Sequence, residues 1–202
     1  MRVSSSNASA RPPQRERGRL RVAALLDAGR AAFAAKGFEG ATMTEIAAQA
    51  GASIGSLYQF FPTKELLAEA IMSSDTDELV AKLRTFEAAA PGWSPSEVAD
   101  HLAPALVKFR TDHPAFAVLL ETTGAPAELA AAAGRAVRER VRAILAAAAP
   151  GQPAARLDAA AAAVQQVMKS AVAVKALGGR IAPAALEELK VMLRLYLADR
   201  LS

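Results

Sequence analysis

Residues 42–67 of this chain of 202 residues read TMTEIAAQAGASIGSLYQFFPTKELL, and this stretch decides the fold. Its first part carries Ile46 at helical spacing from other apolar residues and is broken by Gly51, which predicts a short helix. Ser53 is a good N-cap for a second short helix over 54–60. Two short helices joined by a glycine turn form the outline of a helix-turn-helix.

The second of these helices combines small residues with side chains that form hydrogen bonds. Gly55 and Ser56 allow a close approach to another surface, and Tyr58 and Gln59 carry polar groups that can contact it. Such a helix suits the major groove of DNA, which is about 12 Å wide. Leu57 has the spacing to face inward and anchor the helix. The alternative is an ordinary helical hairpin in a bundle, which would carry more apolar residues on so short an element.

A longer helix is predicted upstream, from Arg19 to Lys36. A basic residue in the last turn followed by Gly37 is typical of a helix C-terminus. Residues 1–17 are rich in Ser, Pro and Arg and lack periodic apolar positions, so we predict a disordered basic arm there. Two roles remain open for this arm: contact with DNA phosphates or the minor groove, or a passive tail.

The sequence downstream also predicts helices. Alanine, the best helix former, supplies much of the hydrophobic content of 52%, and β-branched residues form no sustained alternating runs. We therefore predict an all-α chain, with an N-terminal three-helix helix-turn-helix DNA-binding domain followed by a larger helical domain. The longer helices are predicted over residues 64–89, 95–111, 114–123, 127–148, 154–177 and 183–201.

Charge and cysteine content narrow the class of protein. The net charge is +4, and residues 1–72 contribute nine Lys/Arg against six Asp/Glu, or +3 of that total. A basic N-terminal third suits a polyanionic partner, although a solvated surface that happens to be basic fits the charge count equally well. The absence of cysteine excludes disulfides and thiolate metal sites. With no secretory signal or membrane-spanning stretch, we expect a cytoplasmic protein and no membrane partner.

The residues that would indicate an enzyme are missing. The chain has two histidines, no cysteine, no metal-ligand spacing, no glycine-rich phosphate loop after a strand and no nucleophile elbow. We therefore expect no enzymatic activity, no cofactor and no metal site. A helical, dimeric interaction module without specific DNA binding stays open as the alternative, because the helix over 54–60 has no charged residue. A steep fall of DNA affinity with salt would discriminate between the two.

From Leu20 to Leu67 the sequence resembles the DNA-binding domain of the tetracycline-repressor (TetR) family of bacterial regulators. The likeness covers about a quarter of the chain, and several motifs agree in order and spacing. These motifs are Lys36-Gly37-Phe38, Thr42–Ala47, Gly55–Phe61 and Lys64–Leu67. The resemblance implies a helix-turn-helix domain over 18–66 and a ligand-binding and dimerisation domain over 67–202. It also implies double-stranded operator DNA, a second copy of the chain and an unknown small-molecule effector as partners, with repression as the usual mode.

The resemblance assigns roles to individual residues. Tyr58 and Lys64 match positions that contact phosphate, although Tyr58 could instead be a half-buried packing residue and Thr42 simply a helix cap. Gln59 can pair with adenine, and Ile54 can touch a thymine methyl group. Ile54 departs from the family, where this position is often basic or otherwise polar, so the base preference cannot be predicted. The full set of predicted DNA contacts is Thr42, Thr44, Ser53, Ile54, Gly55, Ser56, Tyr58, Gln59 and Lys64.

Two downstream segments, 127–148 and 154–177, carry apolar residues about every four positions with alanine between them. We predict that these two helices pack against their two-fold mates and form a homodimer, because alanine permits close approach of helices. The alternative is that both stripes build the core of a single subunit.

A pocket for a hydrophobic effector is expected in the larger domain, although apolar residues at helical spacing belong to a core more often than to a ligand site. His101 and His113 are possible polar contacts, and His113 before Pro114 fits a helix end equally well. The predicted lining residues are Phe86, Trp93, Leu106, Phe109, Phe116, Leu120, Met168 and Val172.

Overall fold

The computed structural model describes residues 14–121, 127–176 and 178–201, and all regular secondary structure in these ranges is helical. The predicted all-α fold is therefore confirmed. The last two residues of the predicted helix 114–123 lie outside the described residues. The helices are α1 (Gln14–Gly40), α2 (Met43–Gln49), α3 (Ile54–Phe60), α4 (Lys64–Ala89), α5 (Pro95–Asp112), α6 (Pro114–Glu121), α7 (Ala127–Ala148), α8 (Ala154–Ala176) and α9 (Ile181–Leu201).

Hydroxyl side chains fix where the helices around the turn begin. Thr42, Ser53 and Thr63 each accept a hydrogen bond from the backbone N–H three residues further on, at 3.3, 3.2 and 3.2 Å. These bonds satisfy N–H groups that the first turn of a helix cannot pair internally. Between α2 and α3, Gly51 has a φ of 61°, a left-handed conformation that glycine adopts without steric cost. The helix-turn-helix thus forms as the sequence predicts.

Helix α1 changes direction at Gly37, where φ is 71° and ψ is 178°. The predicted stop after Lys36 is therefore present as a kink, and a short helical segment continues to Gly40. At its other end, α1 takes in residues 14–17, which the sequence analysis assigns to the basic arm. The remainder of that arm, residues 1–13, lies outside the described residues.

Close packing of α1 on α4 holds the N-terminal domain to the rest of the chain. Gly29 of α1 faces Ile71 and Leu67 of α4, and a Cβ atom at Gly29 would lie 2.8 Å from the Cδ1 atom of Ile71. Both α4 residues are fully buried. The missing side chain at Gly29 therefore lets the two helices approach each other closely.

The larger domain is a bundle in which α4 packs on α7, α7 on α8, and α8 on α9, while α5 packs on both α8 and α9. Helix α6 extends back to pack against α1. One hydrophobic cluster runs from α1 through α9, so both domains share a continuous core. Among the described helices, none combines the length and the apolar character needed to span a bilayer.

The apolar stripes that led us to place the dimer interface on 127–148 and 154–177 are used inside the subunit. In α7 the buried stripe residues are Ala133, Val137, Val141, Ile144 and Leu145. In α8 they are Leu157, Ala161, Val164 and Met168. These stripe residues lie in the core of one subunit, because residues covered by their own subunit cannot also cover a partner. That the helices over 127–148 and 154–177 form the homodimer through their other faces stays a prediction.

Candidate DNA-binding surface and ligand cavity

Helix α3 lies on the surface of the N-terminal domain and is anchored by one residue. Leu57 is fully buried, whereas Ile54 and Tyr58 are 40% and 49% exposed. Gln59 and Gly55 are also exposed, and a Cβ at Gly55 would meet nothing within 4 Å. A helix that hides one residue and presents the others can be inserted as a rigid unit into the major groove.

Two of the predicted contact residues are already engaged as helix caps. The hydroxyls of Thr42 and Ser53 accept the backbone hydrogen bonds that begin α2 and α3. Both residues are nevertheless exposed, and so is Thr44 in the first turn of α2. Phe60, which the sequence analysis does not single out, is 38% exposed at the end of α3.

Arg21 of α1 is a basic side chain at this surface that the sequence analysis missed. Its Nη1 atom donates a hydrogen bond to the hydroxyl of Ser56 at 3.3 Å, and Arg21 is exposed. The contact brings a guanidinium against a helix that has no charge of its own. Because 35 residues separate the two in sequence, local spacing gives no sign of the contact.

Lys64, at the start of α4, is turned toward the end of α1. Its Nζ atom donates to the backbone carbonyls of Glu39 at 3.3 Å and Ala41 at 3.2 Å, and it lies 4.6 Å from the ring centre of Phe38. Lysine near a helix C-terminus interacts favourably with unpaired carbonyls and the helix dipole. In this position Lys64 ties α4 to α1 and remains half-buried.

Two acidic residues near this surface stay ionised in neutral solution. Hydrogen bonds from Lys36 and Thr42 lower the pKa of Glu45, and the Lys36 ammonium lies 2.8 Å from its carboxylate. A backbone hydrogen bond at the start of α4, together with one from Thr63, lowers the pKa of Glu65. The Lys36 charge therefore compensates that of Glu45.

A cavity lies among helices α4 to α8 in the larger domain. Its volume is about 50 Å³, and its surface is mostly apolar. Four predicted residues, Leu106, Phe116, Leu120 and Met168, line it together. The apolar lining is typical of small-molecule sites, but the volume lies well below the roughly 300 Å³ at which such pockets begin.

Three other predicted lining residues, Phe86, Trp93 and Phe109, are not among the residues that line the cavity. Trp93 stacks on His101 with ring centres 4.1 Å apart, and Phe86 lies against both rings, which forms a separate aromatic cluster. Phe109 stacks on His113 at 4.1 Å and contacts Phe116 edge-on, behind the cavity wall. The side chain of Val172 lies outside the described residues.

The cavity also has polar lining residues that the sequence analysis did not identify. Arg110, Gln165 and Lys169 line it, and the first two are buried. The Gln165 amide donates to the carbonyl of Gly134 at 2.8 Å, which fixes its orientation. A helical pattern does not distinguish an inward-facing polar residue of this kind from one on the solvent side. No group of three or more His, Cys, Asp or Glu residues in the described ranges is placed to hold a metal ion.

Two family models match the chain. The model of the bacterial regulatory proteins of the tetR family matches residues 25–71, and that of the tetracyclin repressor-like C-terminal domain matches residues 94–197. No curated protein sequence matches the chain.

Solved structures share the fold. The transcriptional regulator FadR from Bacillus subtilis in complex with stearoyl-CoA is 14% identical, with a TM-score of 0.65 over 85% of this chain and 96% of that one. SmeT, the repressor of the Stenotrophomonas maltophilia multidrug efflux pump SmeDEF, is 19% identical, with a TM-score of 0.66 over 88% of each chain. A tetR-family regulator from Streptomyces coelicolor is 22% identical, with a TM-score of 0.65 over 94% of this chain and 82% of that one.

Proposed function

The chain belongs to the tetR family of bacterial regulatory proteins, and from that premise we propose that it is a homodimeric repressor released from its operator by a hydrophobic small molecule. The family makes it a DNA-binding transcriptional regulator.

Helix α3 is proposed to read the base edges. Ile54, Gly55 and Gln59 are exposed on it, and Gln59 has the donor and acceptor that adenine requires. Tyr58 is proposed to contact a phosphate through its hydroxyl, since half of the side chain is accessible. Because α3 carries no charge, Arg21 is proposed to supply part of the electrostatic attraction to the backbone.

The dimer interface is proposed to include the outer face of α9. Ile181, Met192 and Leu195 are 65%, 59% and 68% exposed, and Val191 is 43% exposed. The opposite face of the same helix is buried in the core through residues such as Leu193. A helix that is apolar on both faces needs a second cover, and an isologous dimer supplies it with the same surface of a second copy.

The cavity among α4 to α8 is proposed to hold the effector. Helix α6 lines it through Phe116 and Leu120 and also packs against α1 of the DNA-binding domain. A ligand that shifts α6 would therefore change the relative position of the DNA-binding domains of the two subunits. A coupling free energy of about 1–3 kcal/mol is enough to alter operator affinity roughly 5–150-fold.

The observation that carries the proposal is the exposed, uncharged α3 on a domain that matches a DNA-binding family. We would titrate the protein into a labelled duplex from its own upstream region and measure fluorescence anisotropy, with a scrambled duplex beside it. Tight binding to the native duplex alone, weakened by salt, is the expected result. Equal, weak binding to both duplexes and to fragments selected genome-wide would leave only the helical interaction module.

A matched pair of variants tests the role of Tyr58. Tyr58→Phe removes one hydroxyl from α3, and Tyr196→Phe removes one from α9, in the other domain. We expect Tyr58→Phe to lower operator affinity about tenfold, in line with the loss of one hydrogen bond to a charged group. Tyr196→Phe should leave it unchanged. Equal affinities for the two variants would remove Tyr58 from the contact set.

A further inference from the structure

His113 lies at the junction of α5 and α6, between two carboxylates of α4. Its Nδ1 atom is 3.6 Å from the Oδ2 atom of Asp75, and its Nε2 atom is 3.3 Å from the Oε1 atom of Glu78. The His113 side chain is partly buried, Asp75 is buried and Glu78 is exposed. Both ring nitrogens of one histidine therefore face carboxylate oxygens, one buried and one solvated.

A neutral imidazole cannot satisfy both carboxylates. It carries a single N–H donor, and the lone pair of its other nitrogen repels an oxygen anion, whereas the imidazolium has two donors. The Oδ2 atom of Asp75 is buried and has no hydrogen-bond partner in the part of the chain that the structure describes, while Arg30 donates to Oδ1. A small movement of a protonated His113 ring would shorten the contact with Oδ2 to the length of about 2.7–2.9 Å that charge-assisted hydrogen bonds have.

Local structure holds the His113 ring in this place. Its backbone N–H donates to the carbonyl of Phe109 at 2.9 Å at the end of α5, and its own carbonyl accepts from the N–H of Ala117 at 3.2 Å in the first turn of α6. The ring stacks on Phe109 with ring centres 4.1 Å apart. His113 is thus fixed to the end of one helix and the start of the next, and its contacts with α4 affect both.

The other charged groups near this junction are engaged elsewhere. On α1, Arg30 pairs with both Asp27 and Asp75. On α5, Asp112 pairs with Lys108, and Arg110 lines the cavity. Residues 114–120 of α6 include no charged side chain. The second oxygen of Asp75 and the carboxylate of Glu78 are therefore left to His113.

The position of His113 matters because α6 connects the cavity to the DNA-binding domain. Helix α6 packs against α1 and α4, and its residues Phe116 and Leu120 line the cavity. Ion pairs between His113 and α4 hold the start of α6 against α4. A protonated His113 therefore opposes any movement of α6 away from α4, including the shift that the effector is proposed to cause.

We propose that His113 is a pH-sensitive switch that couples protonation to operator binding. At lower pH the imidazolium binds Asp75 and Glu78, α6 stays fixed, and the protein holds its operator more tightly. As the pH rises these ion pairs are lost, and less effector is needed to release the operator. Histidine is the side chain whose charge ordinarily changes between about pH 5 and pH 8. The inference rests on the proposed function, since it concerns the regulation of the same DNA binding.

The test measures operator affinity of the full-length protein by fluorescence anisotropy, at constant ionic strength, between about pH 6 and pH 8. We expect the wild-type affinity to be about fivefold higher at the lower pH, which is the low end of the coupling between two sites. His113→Gln keeps a planar polar side chain that takes up no proton, so it should remove this difference. The α-amino group also titrates in this range, but it is present in every variant.

His101→Gln is the matched control, because His101 is the second of the two histidines and lies exposed on α5, stacked on Trp93. It should retain the wild-type pH dependence. Glu78→Gln changes an exposed side chain, so the fold should tolerate it, and it should weaken the pH dependence by removing one acceptor. With ¹⁵N-labelled histidine, the ring signal of His113 should change over the same pH interval as the affinity. Equal pH dependence of affinity in wild type and His113→Gln would overturn the inference.

Urea unfolding at both pH values separates this inference from the proposed function. Because the imidazolium has these partners only in the folded protein, the wild type should gain stability relative to His113→Gln as the pH falls, without any DNA. If the protein binds its operator specifically but His113→Gln keeps the wild-type pH dependence of affinity, the switch fails and the repressor proposal stands. If no operator sequence is bound specifically, the repressor proposal fails. The unfolding comparison then decides alone, and an equal change in both proteins would overturn the switch.

Discussion

Arg30 and Asp75 form a charged link between the N-terminal helix α1 and helix α4 of the larger helical bundle. The Nε and Nη2 atoms of Arg30 in α1 both donate to one carboxylate oxygen of Asp75 in α4, at 3.0 and 2.8 Å. Asp75 is 1% exposed, and its other oxygen lies 3.6 Å from the Nδ1 atom of His113, at the junction of α5 and α6. One buried carboxylate therefore contacts α1 and also the segment that leads into the cavity wall.

Asp75→Asn should destabilise the protein, because it leaves Arg30 facing a neutral group in a buried setting. We expect a loss of about 1–3 kcal/mol in the free energy of unfolding, below the usual figure for a broken buried pair, since Arg30 is partly solvated. Urea unfolding at fixed protein concentration measures it. Asp77→Asn, at an exposed position on the same helix, is the control and should change stability little. Equal stabilities for both variants would show that the link does not stabilise the fold.

Gly29→Ala should destabilise the protein although the substitution usually favours a helix. The new Cβ would lie 2.8 Å from Ile71 and 3.3 Å from Leu67, both fully buried, and we expect overpacking to cost about 1–2 kcal/mol net. Gly18→Ala, in the same helix with nothing within 4 Å, should instead stabilise by up to about 1 kcal/mol. Thermal and urea unfolding of the two variants measure the contrast. A gain in stability at both positions would contradict the tight contact.

Arg21→Ala tests whether the guanidinium beside Ser56 contacts DNA. We expect operator affinity to fall about tenfold and the slope of log affinity against log salt to decrease in magnitude by about 1 for each lost phosphate contact. Anisotropy titrations at several salt concentrations provide both values. Arg84→Ala removes the same charge from an exposed site on α4 and should change neither. If the two variants behave alike, Arg21 serves only to hold Ser56.

The sequence predicts most helix boundaries of this fold because local signals set them. Ser53 caps a helix where expected, and α4 and α7 have the predicted bounds. Such signals depend on neighbours within one turn, so they can be read directly from the chain. The kink at Gly37 belongs to the same group.

The apolar periodicity of a helix does not identify the element that packs against its apolar face. The spacing of Val137 and Val141 correctly places them on one face of α7, but only the structure shows that the subunit itself covers that face. Phe86 and Trp93 have the same apolar character as Phe116, yet they pack around His101 away from the cavity. Contacts between residues far apart in sequence decide whether such an apolar residue packs in the core, lines the cavity or joins another cluster.

The outer face of α9 provides the sharpest test of assembly. Leu195→Glu places a charge at a side chain that is 68% exposed in the subunit, so the isolated subunit should tolerate it. In an interface, the same carboxylate would be buried without a partner, which costs several kcal/mol and would raise the dimer dissociation constant at least a hundredfold. Sedimentation velocity over a concentration series measures the change.

Leu66→Glu is the control for that experiment, since Leu66 is 43% exposed but lies on α4 in the DNA-binding domain. It should leave the protein dimeric. A dimer binds two half-sites of the operator at once, and this raises its affinity above that of a single subunit. Leu195→Glu should therefore also weaken operator binding, while an unchanged circular dichroism spectrum shows that the helical fold is intact. If Leu195→Glu and Leu66→Glu had the same dimer dissociation constant, the interface would have to lie elsewhere. The exposed apolar face of α9 would then need a different partner.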